Sequence, residues 1–272
     1  MLAHIAIQLT LQNSAETIRN SRRTFIGTCA TALLISALAP TAATAQKTPT
    51  AEEILNGYVA ATGGKTAYEK ITSSIMTGDF EITAQKIRGA VTVKAKAPDK
   101  FLIVQELAGN KFEVGYDGKI GWSRDPLHGL RVLEGKELEQ LKDSAAFNST
   151  VNWKQRYSKT EVMGIRKVDG ASAYAVRLTN KQGVTTTQFY DVKSKLLLRS
   201  DSIVASPEGS VPTETYTSDY RSQNGVKVPF TIRQLAANVE AVMKMQTLKN
   251  NVPISDSEFA KPAEVPASKD KK

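Results

Sequence analysis

The first residues to consider are those whose side chains could carry out acid–base chemistry. Two carboxylate pairs stand out, Glu52 with Glu53 and Asp79 with Glu81. The first pair lies at the predicted start of a helix and the second on the polar face of a predicted strand. Neither pair has an opposing acid of the kind that glycoside hydrolysis requires. The sequence therefore gives little support to a glycosidase-like site.

Nucleophilic and metal-based chemistry has equally few candidate residues. The chain has one cysteine, Cys29, and two histidines, of which only His128 lies beyond residue 45. Zinc, copper and haem sites usually need several His or Cys ligands. A lone His128 in a predicted loop beside Arg124 and Asp125 is more often solvated than catalytic. We therefore predict that the protein is not an enzyme and has no metal or cofactor.

Residues 1–45 have the features of an export signal. Arg22 and Arg23 stand in the sequence S-R-R-T-F-I, an apolar run follows at residues 30–39, and residues 43–45 (A-T-A) are small. This order is typical of a twin-arginine signal with a peptidase site. The apolar run is too short to favour a membrane span. We predict cleavage near Ala45 and a periplasmic location, with an ordinary secretory signal as the alternative.

Cleavage would leave a basic domain without thiols. It would remove Cys29, three arginines and one glutamate, so the net charge would fall from +9 to +7. The domain would then have no disulfide. An exported protein seldom meets nucleic acid, so we predict no such partner. A basic rim could contact anionic lipid headgroups, although a solvated surface is the plain alternative. The nearest approach to a cluster is Lys94, Lys96, Lys100, Lys111, Lys119, Arg124 and Arg131.

The elements that would position a binding site are mainly strands. Over residues 71–122, apolar side chains such as Met76 and Phe80 alternate with polar ones, as in strands that have one buried apolar face and one exposed polar face. The dipeptide Asp117–Gly118 indicates a hairpin turn. Residues 121–126 are predicted to leave the sheet and residues 127–132 to form a loop. Further strands are predicted at residues 160–168, 172–179, 184–192, 195–205, 211–221 and 226–235, for about ten strands in all.

Helices are predicted at two places. Thr50 and Glu53 form a capping box before an amphipathic segment that Gly63 and Gly64 end, and residues 136–147 form a second amphipathic segment. Residues 238–247 have the composition of a helix. Their apolar residues nevertheless share one parity, so period two favours a strand. We predict one domain at residues 46–259 and a disordered tail at residues 260–272.

The order of several short motifs resembles that in the bacterial periplasmic lipoprotein carriers, the outer-membrane lipoprotein-sorting family. The resemblance runs from about Thr50 to Pro262. In the first half its motifs are residues 51–58 with Gly63–Gly64, and G-Y-D-G at 115–118 with Gly121–Trp122. In the second half they are F-Y-D at 189–191 with Leu196–Leu197, S-D-Y at 218–220, V-K-V-P-F at 226–230 and the final segment at residues 251–259. It implies a mainly β (α+β) fold, a strongly curved and incomplete antiparallel barrel partly closed by two or three helices. It also implies a lipid or acyl-chain ligand and no catalysis.

If such a sheet curls without closing, its apolar face becomes a cavity. Methionine side chains suit varied acyl chains because the thioether is flexible. The same residues could equally form an ordinary filled core. The candidates for lining a cavity are Met76, Phe80, Ile82, Val91, Val93, Tyr174, Val176, Leu178, Met243 and Met245.

Three functions remain open at this point. The predicted one is a periplasmic carrier or sensor whose partner is a lipid or an acylated lipoprotein, with an envelope membrane surface or a receptor as the delivery partner. It requires an apolar cavity. A non-catalytic accessory subunit of an envelope complex would instead have a filled core and an exposed apolar or basic patch. An enzyme of unrecognised type would have convergent polar groups in a pocket.

Overall fold

The structure is a computed structural model that describes residues 48–207 and 209–263. The predicted signal peptide, its cleavage near Ala45 and residues 264–272 of the predicted tail lie outside the described residues. The division of the chain into signal, domain and tail therefore stays a prediction.

Within the described residues, all strands belong to one antiparallel sheet. The helices are α1 (Ala51–Ala61), α2 (Lys65–Glu69), α3 (Gly135–Ala145) and α4 (Trp153–Arg156), and a 3₁₀ turn spans Asp256–Glu258. The strands are β1 (Ser73–Ile82), β2 (Ile87–Lys96), β3 (Lys100–Leu107), β4 (Asn110–Tyr116), β5 (Gly121–Asp125), β6 (Gly129–Val132), β7 (Tyr157–Val168), β8 (Ala171–Asn180), β9 (Thr185–Asp191), β10 (Leu197–Ser206), β11 (Gly209–Gln223), β12 (Val226–Ala236) and β13 (Val239–Asn250).

The sheet is a meander that does not close. Its strand order is β6-β5-β4-β3-β2-β1-β13-β12-β11-β10-β9-β8-β7, so every pair is consecutive in sequence except β1 with β13. Strands β6 and β7 form the two edges, and the chain passes from one edge to the other through α3 and α4. The predicted mainly β, incomplete barrel with few helices is confirmed.

The region after Trp122 differs from the prediction. Strand β5 pairs with β4, and β6 pairs with β5, where the sequence predicted an exit from the sheet and then a loop. The turn between them is tight because the Asp125 carboxylate accepts hydrogen bonds from the backbone N–H groups of Leu127 and His128, both at 2.8 Å. Pro126 and the shortness of both strands hide the alternation in the sequence.

Residues 238–247 had the composition of a helix but the two-residue period of a strand, and the prediction of a strand is confirmed by β13. Ala241, Met243 and Met245 are all buried, and their neighbours Lys244 and Gln246 are exposed. Gln246 has no opposing residue on β1, because Thr77 pairs with Thr247 and Gly78 with Met245. This β-bulge reverses the parity of the last residues of β13.

Two apolar clusters cover the face of the sheet on which α1 and α3 pack, which we call the inner face. The α3 cluster joins Leu138 and Leu141 to side chains of β1–β4, β12 and β13. The α1 cluster joins Ile54 and Leu55 to Val176, Leu178 and Tyr190. Burial of these side chains supplies the main stabilisation of each half, at roughly 25 cal/mol per Å² of apolar surface.

Polar contacts hold α3 to strand β6 on one side and to strand β10 on the other. Arg131 of β6 donates to both carboxylate oxygens of Glu137 at 2.8 Å. At the other side, the Gln140 amide donates to the Ile203 carbonyl at 2.8 Å and accepts from the Ala205 N–H at 2.9 Å. These two backbone groups belong to the part of β10 that extends beyond β9. The Gln140 side chain therefore makes hydrogen bonds there of the kind that a neighbouring strand would make.

The opposite, outer face of β1–β5 is covered by residues 251–260. Phe259 is completely buried, and its carbonyl accepts a hydrogen bond from the Trp122 indole N–H at 2.9 Å. Asp256 lies 2.6 Å from the Lys100 ammonium and 2.7 Å from that of Lys96. Residues 251–260 therefore pack against the sheet as part of the fold.

Candidate functional site

A cavity of about 170 Å³ lies on the inner face, between the α1 cluster and the α3 cluster. An apolar cavity of about 150 Å³ is large enough to hold benzene, so this one can take a short hydrocarbon segment. One wall is apolar and comes mainly from β1, β2, β12, β13 and the segment after α3. Its side chains are Ile71, Met76, Ala95, Phe147, Val226, Val228, Pro229 and Leu248.

A polar wall comes from β9, β10 and β11. It presents Gln188, Ser200, Thr215, Thr217 and Tyr220 to the cavity. Some of these hydroxyls are held by the backbone, because Thr217 and Tyr220 both donate to the Leu197 carbonyl, at 2.7 and 2.9 Å. Strands β9–β11 thus contribute mainly neutral hydrogen-bonding groups to the lining, and the other elements contribute its apolar side chains together with the polar residues Ser74, 148–150, Lys227 and Asn250.

The tyrosines of the cavity stay uncharged. Burial raises the pKa of Tyr58 well above its ordinary value and raises that of Tyr220 to about 12. Burial also raises the pKa of Tyr68, whose hydroxyl donates to the Thr62 hydroxyl at 2.9 Å. These phenols therefore act near neutral pH as hydrogen-bonding groups and not as bases.

The sheet splits beside this cavity. Strand β12 pairs with β13 only from Thr231 to Ala236, and its first four residues pair with β11 alone. Pro229 lies in the unpaired part and has no N–H to donate. The last residues of β13 pair only with β1. Leu248 and Val228, on opposite sides of the split, both line the cavity.

Residues 62–72 fill the split. On the β12 side, the Lys227 N–H donates to the Thr62 carbonyl at 2.9 Å. On the β13 side, the Thr72 N–H donates to the Asn251 side chain at 2.8 Å, and that side chain donates to the Lys70 carbonyl at 3.0 Å. This segment is held to both strands by backbone and amide groups, and its residues Tyr68 and Ile71 line the cavity.

Glycine is required where this segment meets β12. Gly63 has a φ of +125°, and a Cβ there would lie 2.2 Å from the carbonyl oxygen of Gly225. A backbone oxygen cannot move away as a flexible side chain would. Gly63 of the sequence motif thus has a physical reason in the close approach of two chain segments, and Gly64 has one in its φ of +76°.

The structure places the predicted lining residues in three positions. Met76 lines the cavity. Val176 and Leu178 lie in the α1 cluster, and Tyr174 packs against it. The others are buried in the α3 cluster: Phe80, Ile82, Val91, Val93, Met243 and Met245.

Sequence reasoning missed the polar wall. Thr213, Thr215 and Thr217 alternate with larger residues and are all buried. That period-two row could have marked an inward face, but threonine is common on exposed strand faces as well. The contribution of residues 147–150, which follow α3 and also line the cavity, has no sequence signal that we recognise.

The candidate acid–base residues lie elsewhere. Glu53 completes the capping box with Thr50, accepting from its N–H at 2.7 Å, and Glu52 pairs with Lys154. The His128 ring lies 3.2 Å from the Asp125 carboxylate in the β5–β6 turn. Within residues 48–207 and 209–263, no group of three or more His, Cys, Asp or Glu side chains could hold a metal ion. The helices in the same ranges are all too short or too polar to cross a membrane.

Comparison with known proteins finds similarity in structure only. No family model matches the sequence, and no curated protein matches it. A solved DUF1329 family protein from Desulfovibrio piger is 16% identical and superposes with a TM-score of 0.53 over 78% of this chain and 98% of its own. A putative outer membrane lipoprotein-sorting protein domain from Vibrio parahaemolyticus is 12% identical, with a TM-score of 0.53 over 77% and 97% of the two chains.

A third solved structure gives the same result. The LolA superfamily protein from Nitrosomonas europaea is 13% identical, and the match covers 79% of this chain and 99% of that protein with a TM-score of 0.51. The protein therefore has the fold of these lipoprotein-sorting domains, as the motif order indicated. At such low identity the likeness concerns the fold alone.

Proposed function

We propose that the protein binds an acyl chain of a lipid or lipoprotein in the inner cavity, as an envelope carrier or sensor. The observation that carries this proposal is the amphipathic cavity beside a split in the sheet. Burying hydrocarbon is worth about 0.8 kcal/mol per methylene, so about six methylenes supply roughly 5 kcal/mol before the cost of association. Binding of that strength is reversible, as delivery requires.

A periplasmic location fits this function. Its support is the twin-arginine sequence at Arg22–Arg23 with the small residues before Gln46. The fold shared with outer-membrane lipoprotein-sorting domains supports the same assignment. The partners on this account are a lipid or acylated lipoprotein and a membrane surface or receptor that takes the cargo.

We also infer that binding occurs without catalysis. The ionisable groups of the cavity are tyrosines whose pKa values are raised by burial and one lysine, Lys227. Such a set offers hydrogen bonds but no acid–base pair. A turnover assay with ester or amide lipid substrates should therefore give no product above the buffer control.

The test fills the cavity with a side chain. Ala95 is buried on β2 and lines the cavity, whereas Ala90 on the same strand is exposed. We expect Ala95→Phe to place its ring in the cavity and to abolish binding of decanoate and 1-decanol, measured by isothermal titration calorimetry. The control Ala90→Phe should bind both as the wild type does. Unchanged binding in folded Ala95→Phe would contradict the proposal.

A second candidate is a non-catalytic interaction subunit of an envelope complex. The observation in its favour is that nine of the ten predicted lining residues lie outside the cavity, eight of them buried in the α1 or α3 cluster and Tyr174 packed against the α1 cluster. On this account neither decanoate nor 1-decanol binds the wild-type protein, and Ala95→Phe changes nothing but stability.

A further inference from the structure

We propose that the acyl chain enters the cavity as a neutral ester or amide, and that the side-chain amide of Gln188 on β9 donates a hydrogen bond to its carbonyl oxygen. This inference rests on the proposed function and narrows its ligand class. Its basis is a row of polar side chains on the inner face, the hydrogen bonds of Gln188 and the charges of the cavity lining.

Four neutral polar side chains form a row across the inner face, each opposite the next on the neighbouring strand. From β9 to β12 they are Gln188, Ser200, Thr215 and Gln234. Ser200, Thr215 and Gln234 are each 1% exposed, whereas Gln188 is half-buried. The first three members of the row line the cavity. Gln188 is therefore the most accessible member of the row.

The hydrogen bonds of the row leave donors on Gln188. The Gln234 amide donates to the Thr215 hydroxyl at 3.1 Å. Gln188 uses its Oε1 to accept a hydrogen bond from the Tyr190 hydroxyl, and the structure gives its side chain no other hydrogen bond within the described ranges. A primary amide also has two N–H donors. These donors are available to a molecule in the cavity.

A charged headgroup would find no complement in the cavity. Among the described residues that line it, none is a carboxylate or an arginine, and burial raises the pKa of each lining tyrosine, which keeps the phenols neutral. Lys227 is exposed and alternates with the inward-facing Val226 and Val228, so its side chain points to the outer face. Since an unpaired charge costs far more to bury than a neutral polar group, the lining favours a neutral ligand.

An acyl carbonyl fits both observations. Its oxygen is uncharged and only accepts hydrogen bonds, so it complements the free N–H groups of Gln188. The attached hydrocarbon can then lie against Met76, Ala95 and Leu248, which belong to the apolar lining. An amide-linked chain, as on an acylated protein, and an ester-linked chain, as in a glyceride, share this chemistry. Probes that differ in this linkage distinguish the two sources.

The experiment is an NMR titration of the nitrogen-15-labelled protein at pH 7.5 with four probes that carry an eight-carbon chain. Methyl octanoate and N-methyloctanamide have a neutral carbonyl, 1-methoxyoctane lacks it, and octanoate is charged. Backbone amide shifts give the dissociation constants. The side-chain amide resonance of Gln188, assigned by its loss on substitution, reports directly on the proposed hydrogen bond.

The variants separate the donors of Gln188 from its contact with Tyr190. Tyr190→Phe removes the hydroxyl that Gln188 accepts from and keeps the buried ring. Gln188→Leu is then added in that background, so that no buried hydroxyl loses its acceptor. Gln182→Leu is the matched control, because Gln182 is exposed in the turn between β8 and β9 and does not line the cavity.

We expect the double variant to bind the ester and the amide about threefold to tenfold more weakly than Tyr190→Phe does, and 1-methoxyoctane within about twofold. The wild type should bind octanoate at least about tenfold more weakly than methyl octanoate. The Gln188 amide protons should shift downfield with the ester and the amide but not with the ether, and Gln182→Leu should behave as the wild type. A larger loss for N-methyloctanamide identifies an amide-linked chain and a larger loss for methyl octanoate an ester-linked one, and either supports the proposal.

Three results would overturn the proposal while acyl binding itself stands. Unchanged affinity of the double variant for the ester and the amide would show that Gln188 does not bind the carbonyl. Equal losses for these probes and for 1-methoxyoctane would assign Gln188 a structural role only. Octanoate bound as tightly as methyl octanoate would contradict a neutral ligand. If the wild type binds none of the probes, both the ligand class and the acyl-binding function fail.

Discussion

At the scale of single residues, a comparison of Gly63 with Gly183 distinguishes the steric cost of adding a Cβ from the cost of a positive φ. Both have positive φ, but a Cβ at Gly63 would lie 2.2 Å from the Gly225 carbonyl, whereas a Cβ at Gly183 would meet nothing within 4 Å. We expect Gly63→Ala to lower the free energy of unfolding by roughly 3 kcal/mol and Gly183→Ala by about 1 kcal/mol. Urea denaturation checks this, and equal losses would refute the role of Gly63 at the split.

Asp256 gives the fold a local pH dependence. Hydrogen bonds from Lys100 and then Lys96 lower the pKa of this carboxyl from 3.8 to about 2. Since the pKa is lower in the folded state, the ion pairs contribute stability above pH 3.8 that is lost as the pH falls toward 2. Amide-exchange protection of residues 256–260 should fall between these pH values. Asp256→Asn should remove that dependence, and an identical profile in the variant would argue against it.

At the scale of elements, Gln140 should hold α3 on the sheet. Its side-chain amide makes two hydrogen bonds with the part of β10 that extends beyond β9, one to the Ile203 carbonyl and one from the Ala205 N–H. We expect Gln140→Ala to cost roughly 1–2 kcal/mol and to speed amide exchange at Ala205. Glu139→Ala, which removes only a surface pair with Lys142, should cost less than about 0.5 kcal/mol. Unchanged exchange at Ala205 would mean that the helix is held by its apolar face alone.

The elements also show what the sequence could predict. Alternation predicted β13 correctly because Ala241, Met243 and Met245 are buried at every second position. It failed for β5 and β6, since five and four residues are too few to display a period and a side-chain turn at Asp125 joins them. The bulge at Gln246 was also hidden, because a register shift depends on the partner strand and not on local composition.

At the scale of the whole molecule, residues 251–260 complete the outer face. Phe259 is fully buried with Trp122, Leu102 and Ile254. We expect Phe259→Ala to cost roughly 3–5 kcal/mol. The emission of Trp122 should shift to the red in a Trp153→Phe background, which leaves it as the single tryptophan. Ser257→Ala is the control, with an expected cost below about 0.5 kcal/mol because Ser257 is exposed. Equal emission in both would disprove the packing of Phe259 on Trp122.

The position of the cavity could not be predicted from the sequence, although the overall fold could. A motif order and strand alternation are properties of one chain segment at a time. The cavity arises instead where β12 separates from β13 and where loop residues such as Phe147 meet polar side chains such as Ser200. Most of the predicted lining residues fill clusters because α1 and α3 cover them, and helix placement depends on contacts such as that of Gln140 with β10.

The most direct test of the central claim is mass spectrometry of organic extracts from the protein isolated without detergent from its native envelope fraction. The account predicts a lipid or acylated peptide in stoichiometric amount with the protein, and its absence from extracts of folded Ala95→Phe. A protein that folds cooperatively and yields no lipid, or yields the same lipid from Ala95→Phe, would contradict binding in the inner cavity.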